Sequence, residues 1–156
     1  KLLELCVLQK LRDQIMDKSL LHDNQRGFVP RRSCDDNIVD LLEVIQQAKD
    51  LEQLARGQRI PNRQRTKTFI IFIDLRKAFD MVNRQKLLEK MRTMRIDEAL
   101  VQTIHGLLQG TKAEIGDRQV EMDIGVPQGA VLSPTLFALF INDLVAELNR
   151  TAYCLA

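Results

Sequence analysis

The chain has 156 residues, 45% of them apolar, and a formal net charge of only +2. That is enough for one domain with its own core, and it excludes a chain whose whole surface is a basic field. Three scattered cysteines, Cys6, Cys34 and Cys154, include no Cys-x-x-Cys pair. They argue against a disulfide framework or a zinc site and point to a reducing, intracellular setting. No apolar run reaches the about 18 residues needed to span a bilayer, so no membrane partner is expected, and no signal-peptide pattern is present. The chain opens at Lys1 directly in a helical pattern, which reads as a fragment.

From Leu2 to Leu21, apolar residues at three and four spacings (Leu5, Leu8, Leu11, Ile15) predict an amphipathic helix. A polar stretch, Asp23 to Gly27, leads into Phe28-Val29-Pro30. Ser33 followed by Asp36 predicts a capping box, and Ile38, Leu41, Leu42, Ile45 and Ala48 predict a helix with one buried face. Gly57 and Pro61 end it. No acidic residue lies between Glu52 and Asp74, whereas Arg56, Arg59, Arg63, Arg65 and Lys67 do, as in a solvated basic loop.

Phe69 to Ile73 is apolar without alternation, as in a strand covered on both faces, and Asp74 ends it. A carboxylate there needs a partner, a metal or an exit to solvent. Leu87, Leu88 and Met91 predict one helix, and Ala99 to Leu108, closed by Gly110, a second. Ala113-Glu114-Ile115 and Val120-Glu121-Met122 flank Gly116-Asp117 as a hairpin. Gly125 to Gly129 is a loop, after which Ser133 is expected to cap a helix with Pro134 at its first position. The stripe Leu136, Phe137, Phe140, Ile141, Leu144, Val145 and Leu148 is expected to bury one face of that helix. Ala152 to Ala156 is expected to begin another strand. No Gly-x-x-x-x-Gly-Lys loop or Gly-x-Ser-x-Gly elbow is present, and His22 and His105 read as surface or satisfied histidines.

Phe72-Ile73-Asp74-Leu75-Arg76-Lys77-Ala78-Phe79-Asp80 resembles the first catalytic motif of reverse transcriptases, and Val82-Asn83 with Leu87 to Met91 extends it in the manner of non-LTR retrotransposons. Gly125 to Pro134 resembles the nucleotide-pocket motif of the same enzymes, and Phe140-Ile141-Asn142-Asp143-Leu144 the helix that continues it. Asn24 to Phe28, with Arg32, Ser33 and Asp36, resembles the fingers motif. Val29 stands where an arginine or lysine is usual, and Arg31 where glycine is common. Tyr153 to Ala156 is similar to the strand that enters a Tyr-Ala-Asp-Asp-like hairpin.

The resemblance implies an α+β fold, part of a right-hand polymerase in which helices pack a small antiparallel sheet. Residues 1–66 would be partial fingers and residues 67–156 partial palm. Phe69–Ile73 would be central in that sheet, paired with Ala152–Leu155 and crossed by the helix from Pro134 to Leu148. The implied activity is RNA-directed DNA synthesis by two-metal catalysis on an RNA template, a DNA primer and dNTPs, with Mg2+ or Mn2+ as cofactor. Asp74 would be the catalytic carboxylate and metal ligand, with the Leu75 carbonyl beside it. Phe79 would sit under the sugar, Gln128 and Gly129 would line the incoming nucleotide, and Arg32 would hold the fingers or the template. Asp74, Phe79 and Gln128 are expected around one cleft. With one of three expected carboxylates, the fragment alone is expected to be inactive. Two other readings remain open: a decayed or domesticated RNA-binding domain without catalysis, and a group II intron maturase.

Overall fold

The computed structural model describes residues 1–30, 32–57, 70–115, 118–121 and 123–148. Helix α1 (Leu2–Asp17) buries Val7, Leu8, Leu11 and Ile15. It ends four residues before the predicted Leu21 because Ser19 takes a left-handed conformation, φ 48°. The Ser19 N–H then donates to the Met16 carbonyl at 3.2 Å and the Leu20 N–H to that of Ile15 at 3.1 Å, which is a Schellman ending without glycine. Helix α3 (Arg84–Thr93) ends the same way. Arg95, φ 57°, lets its own N–H reach Arg92 at 2.8 Å and that of Ile96 reach Met91 at 3.0 Å. The Lys18 ammonium donates to the Arg95 carbonyl at 2.6 Å, so the two endings are joined.

Helix α2 (Cys34–Gly57) starts with the predicted capping box. The Ser33 N–H donates to the Asp36 carboxylate at 2.8 Å, and the Asp36 N–H to the Ser33 hydroxyl at 3.2 Å. Its apolar stripe is not the buried face expected: Ile38 and Leu42 are exposed, and Leu41, Ile45 and Ala48 are half-buried. Asn83 caps α3 through the Lys86 N–H, and Asp97 caps α4 (Glu98–Leu108) through that of Ala99. Strands β1 (Lys112–Ile115) and β2 (Arg118–Glu121) pair antiparallel, Ala113 opposite Val120. Gly116, Asp117 and Met122 of the predicted hairpin lie outside the described residues.

Helix α5 (Ser133–Glu147) has Leu132, not Ser133, at its N-cap, and Pro134 lies in its first turn. Of its predicted stripe, Leu136, Phe137, Ile141 and Val145 are buried, whereas Leu144 and Leu148 are exposed. It also buries Ala138 and Leu139, because α3 packs on it while α4 packs on both α3 and α1. The core is drawn from these four helices and the segments that join them, with Leu11, Leu87, Met91, Ile104, Leu136 and Leu139 its largest fully buried side chains.

This corrects the expected α+β class. The described residues form a helical fold, their strands amount to one hairpin, and no sheet lies beneath the helices. The expected central strand fails for a physical reason. Ile71, Phe72 and Ile73 are 81%, 78% and 64% exposed, and among the described residues no ladder partner covers them. An unalternating apolar run states a need for cover on two faces and does not supply it. Phe69, the basic loop residues Arg59 to Lys67, and the expected partner strand Ala152–Leu155 lie outside the described residues.

Candidate functional site

The loop that follows β2 is fastened to the segment between Phe79 and Asn83. Gly125 has φ +81°, and a Cβ placed there would stand 2.8 Å from the Asp80 carbonyl oxygen, so only glycine fits. Its N–H donates to the Val82 carbonyl at 2.7 Å, and the Val126 N–H donates to the Phe79 carbonyl at 2.9 Å. Asn83 and Ile124 form an antiparallel bridge beside them. The Pro127 carbonyl accepts from the Ala130 N–H at 3.3 Å and from the Ser133 hydroxyl at 2.5 Å. Ser133 therefore closes the loop instead of capping α5. Gln128 points outward and its amide donates to the Asp80 carboxylate at 2.9 Å. Gly129, φ +82°, is exposed, and a Cβ there would meet nothing within 4 Å.

Phe79 is half-buried between two other rings. It stacks on Phe137 at 4.8 Å between centroids and meets Phe28 edge-on at 6.0 Å. Phe28 holds a left-handed backbone, φ 57°, a strained conformation for a bulky residue. The neighbouring Val29 is buried, which accounts for an apolar residue where the motif usually has a cation. Arg32 is turned inward onto its own connection, donating to the Asp23 carbonyl at 2.5 Å and pairing with the Asp23 carboxylate at 3.2 Å.

Asp74 and Leu75 are exposed, in a segment without regular secondary structure. No described residue hydrogen-bonds the Asp74 carboxylate, and the partner of Gln128 is Asp80. The structure thus joins Phe79, Asp80, Gln128 and the Phe28 ring directly, and Asp74 is linked to them through the turn at residues 76–81.

Two participants escaped sequence reasoning. Asp80 was visible only as a motif letter. Arg84 donates to the Gly125 carbonyl at 2.7 Å, the Leu108 carbonyl at 2.5 Å and the Thr111 hydroxyl at 2.7 Å. Its signal was a cation in the first turn of a helix, where the helix dipole disfavours it and a compensating partner is expected. Partial burial lowers its proton affinity, against the attraction of Asp123. On α5, burial would raise the Asp143 carboxyl, but the hydrogen bond and charge of Lys90 carry it below the ordinary carboxylate value; the pair is 2.6 Å apart.

The family model of reverse transcriptases (RNA-dependent DNA polymerases) matches residues 1–156. The chain belongs to that family. It is 34% identical over 93 residues to the Pol polyprotein of the type-1 retrotransposable element R2 of Popillia japonica, covering 56% of this chain and 15% of that protein. It is 27% identical over 156 residues to the probable RNA-directed DNA polymerase of transposon BS of Drosophila melanogaster, covering 92% of this chain and 15% of that protein. It is 36% identical over 78 residues to the RNA-directed DNA polymerase of the mobile element jockey of Drosophila funebris, covering 47% and 8% respectively. The chain therefore spans a small part of the length of these relatives.

Reverse transcriptases as a family use divalent metal ions. Among the described residues no three His, Cys, Asp or Glu side chains gather as metal donors. The Asp74 carboxylate, exposed and without a hydrogen-bond partner among them, has the hard oxygen chemistry that such ions take. No helix among the described residues is long and apolar enough to cross a membrane.

Proposed function

We propose that this chain is part of an RNA-directed DNA polymerase of a non-LTR-type mobile element, an intracellular enzyme that adds dNTPs to a DNA primer on an RNA template. Residues 1–66 belong to its fingers and residues 67–156 to its palm. The observation that carries the reading is the fastening of the Gly125–Gly129 loop onto residues 79–82, with Gln128 bonded to Asp80. Two motifs separated in sequence thereby share one surface, as a nucleotide site that reads both would need.

On this reading Gln128 and the backbone of Gly129 receive the incoming nucleotide, since both are exposed and Gly129 has open space over its Cα. Phe79 presents a ring edge to the sugar and is held there by Phe137 and Phe28. Asp74 and the Leu75 carbonyl bind Mg2+ or Mn2+ together with donors from beyond the described residues. When bound, such an ion supplies charge stabilisation for phosphoryl transfer. Arg32 supports the 22–25 connection through its carbonyl contacts.

Primer extension on an RNA template, by the full-length protein that carries this segment, tests the proposal. Asp74→Ala is expected to lower the rate at least about 100-fold, as loss of a charge-stabilising group does. Extension that survives Asp74→Ala would make Asp74 structural. An absence of extension by the unaltered protein that nevertheless binds RNA would favour a non-catalytic domain.

A further inference from the structure

Arg84 is the first residue of α3, yet its guanidinium turns away from that helix and bonds three other segments. Nε donates to the Gly125 carbonyl of the pocket loop at 2.7 Å. Nη1 donates to the carbonyl of Leu108, the last residue of α4, at 2.5 Å, where the helix dipole favours a cation. Nη2 donates to the hydroxyl of Thr111, immediately before β1, at 2.7 Å. That hydroxyl spends its own proton on Leu108 at 3.0 Å, so it is oriented to accept from Arg84. A planar guanidinium holds its donors in fixed directions, so these three acceptors are fixed relative to one another; an ammonium cannot do this.

The consequence falls on one residue, through the peptide groups on either side of it. The Gly125 N–H is held by Val82 and its carbonyl by Arg84, so both sides of this glycine are fixed by residues 82–84. Gln128 and Gly129 follow within four residues. We infer that Arg84 is the positioning residue of the Gly125–Gly129 loop, clamping it to the end of α4 and the start of β1 and setting nucleotide affinity through the Gly125 carbonyl. This rests on the proposal that the loop receives the incoming dNTP. Arg84 touches none of Asp74, Phe79 or Gln128 through a hydrogen bond, and its effect is indirect.

The test uses the full-length protein with Arg84→Met, Arg84→Lys and Thr111→Val, read by dNTP titration in primer extension and by amide hydrogen exchange. For Arg84→Met, KM for dNTP is expected to rise about tenfold with kcat within about threefold, as befits lost charge-assisted hydrogen bonds. Exchange should quicken in residues 124–130 and stay unchanged in α1. Arg84→Lys should fail to rescue either readout, and Thr111→Val should give an intermediate effect. Unchanged loop exchange in Arg84→Met, or full rescue by lysine, would overturn the inference. If Arg84→Met also exposes α1, so that the fold itself is lost, Thr111→Val decides, because it removes one of the three bonds: an unchanged loop there overturns the clamp. If loop exchange quickens while KM stays constant, the clamp stands and the assignment of this loop to dNTP fails.

Discussion

In the loop from Gly125 to Ser133, the N–H groups of Gly125 and Val126, the Pro127 carbonyl and the Gln128 amide all have partners. From Ile70 to Leu75 the reverse holds: every side chain is exposed and no backbone hydrogen bond joins these residues to another described one. Both stretches carry residues of the same proposed site. The contrast separates two tasks. A pocket loop must hold its shape before the nucleotide arrives, and its own chain can do this with glycines, backbone bonds and one arginine. A carboxylate that shares an ion with others is positioned by whatever supplies the remaining ligands and covers the apolar run behind it.

The largest expected effect probes packing. Leu87→Ala, at a fully buried core position on α3, should cost about 2–5 kcal/mol in urea denaturation, whereas Phe72→Ala should stay within about 0.5 kcal/mol. Comparable costs would mean that the two regions are equally packed. Next, Gly125→Ala should destabilise by about 1–3 kcal/mol, from its positive φ and the approach to the Asp80 carbonyl. Gly106→Ala, on α4 with nothing within 4 Å, should stabilise by about 0.5–1 kcal/mol. A harmless Gly125→Ala would show that the loop is not held as described.

The smallest effect concerns pH. The Asp143 carboxyl is held below its ordinary value by Lys90, so its contribution is present above the unfolded pKa of about 3.9. It is lost as pH falls through the lower folded value. The Asp143 side chain is 62% exposed, which limits the pair to less than about 1 kcal/mol. The deficit of Asp143→Asn measured at pH 7 should therefore close in acid below about pH 4. A deficit independent of pH would assign it to packing.

Signals confined to a few neighbouring residues were the most legible. The Ser33–Asp36 capping box, the turn at Gly110 and the hairpin strands around Ala113 and Val120 need only local chemistry, and each formed. Helix α1 stopped short of the expected Leu21 because a serine adopted the left-handed turn that glycine usually supplies. The Phe69–Ile73 strand was misjudged because strand formation depends on a partner, and apolarity says nothing of where that partner lies. Arg84 was missed since its three acceptors belong to segments 24 to 41 positions away. The Gly125–Gly129 loop was legible as a loop, but its attachment to Phe79 and Val82 is a tertiary fact.

Besides its contacts with α3, helix α5 is tied to connecting segments at two points. Ser133 grips the Pro127 carbonyl at its start. Nine residues on, the Asn142 amide accepts from the His22 N–H at 2.7 Å and donates to the Leu20 carbonyl at 3.0 Å, as a peptide group in a ladder would. Between these points the helix works as a ruler of about 14 Å, and also as a screw. One residue inserted between them would rotate Asn142 by about 100° and break its grip on residues 20–22. The spacing between the pocket loop and the α1–α2 connection is therefore fixed by residue count.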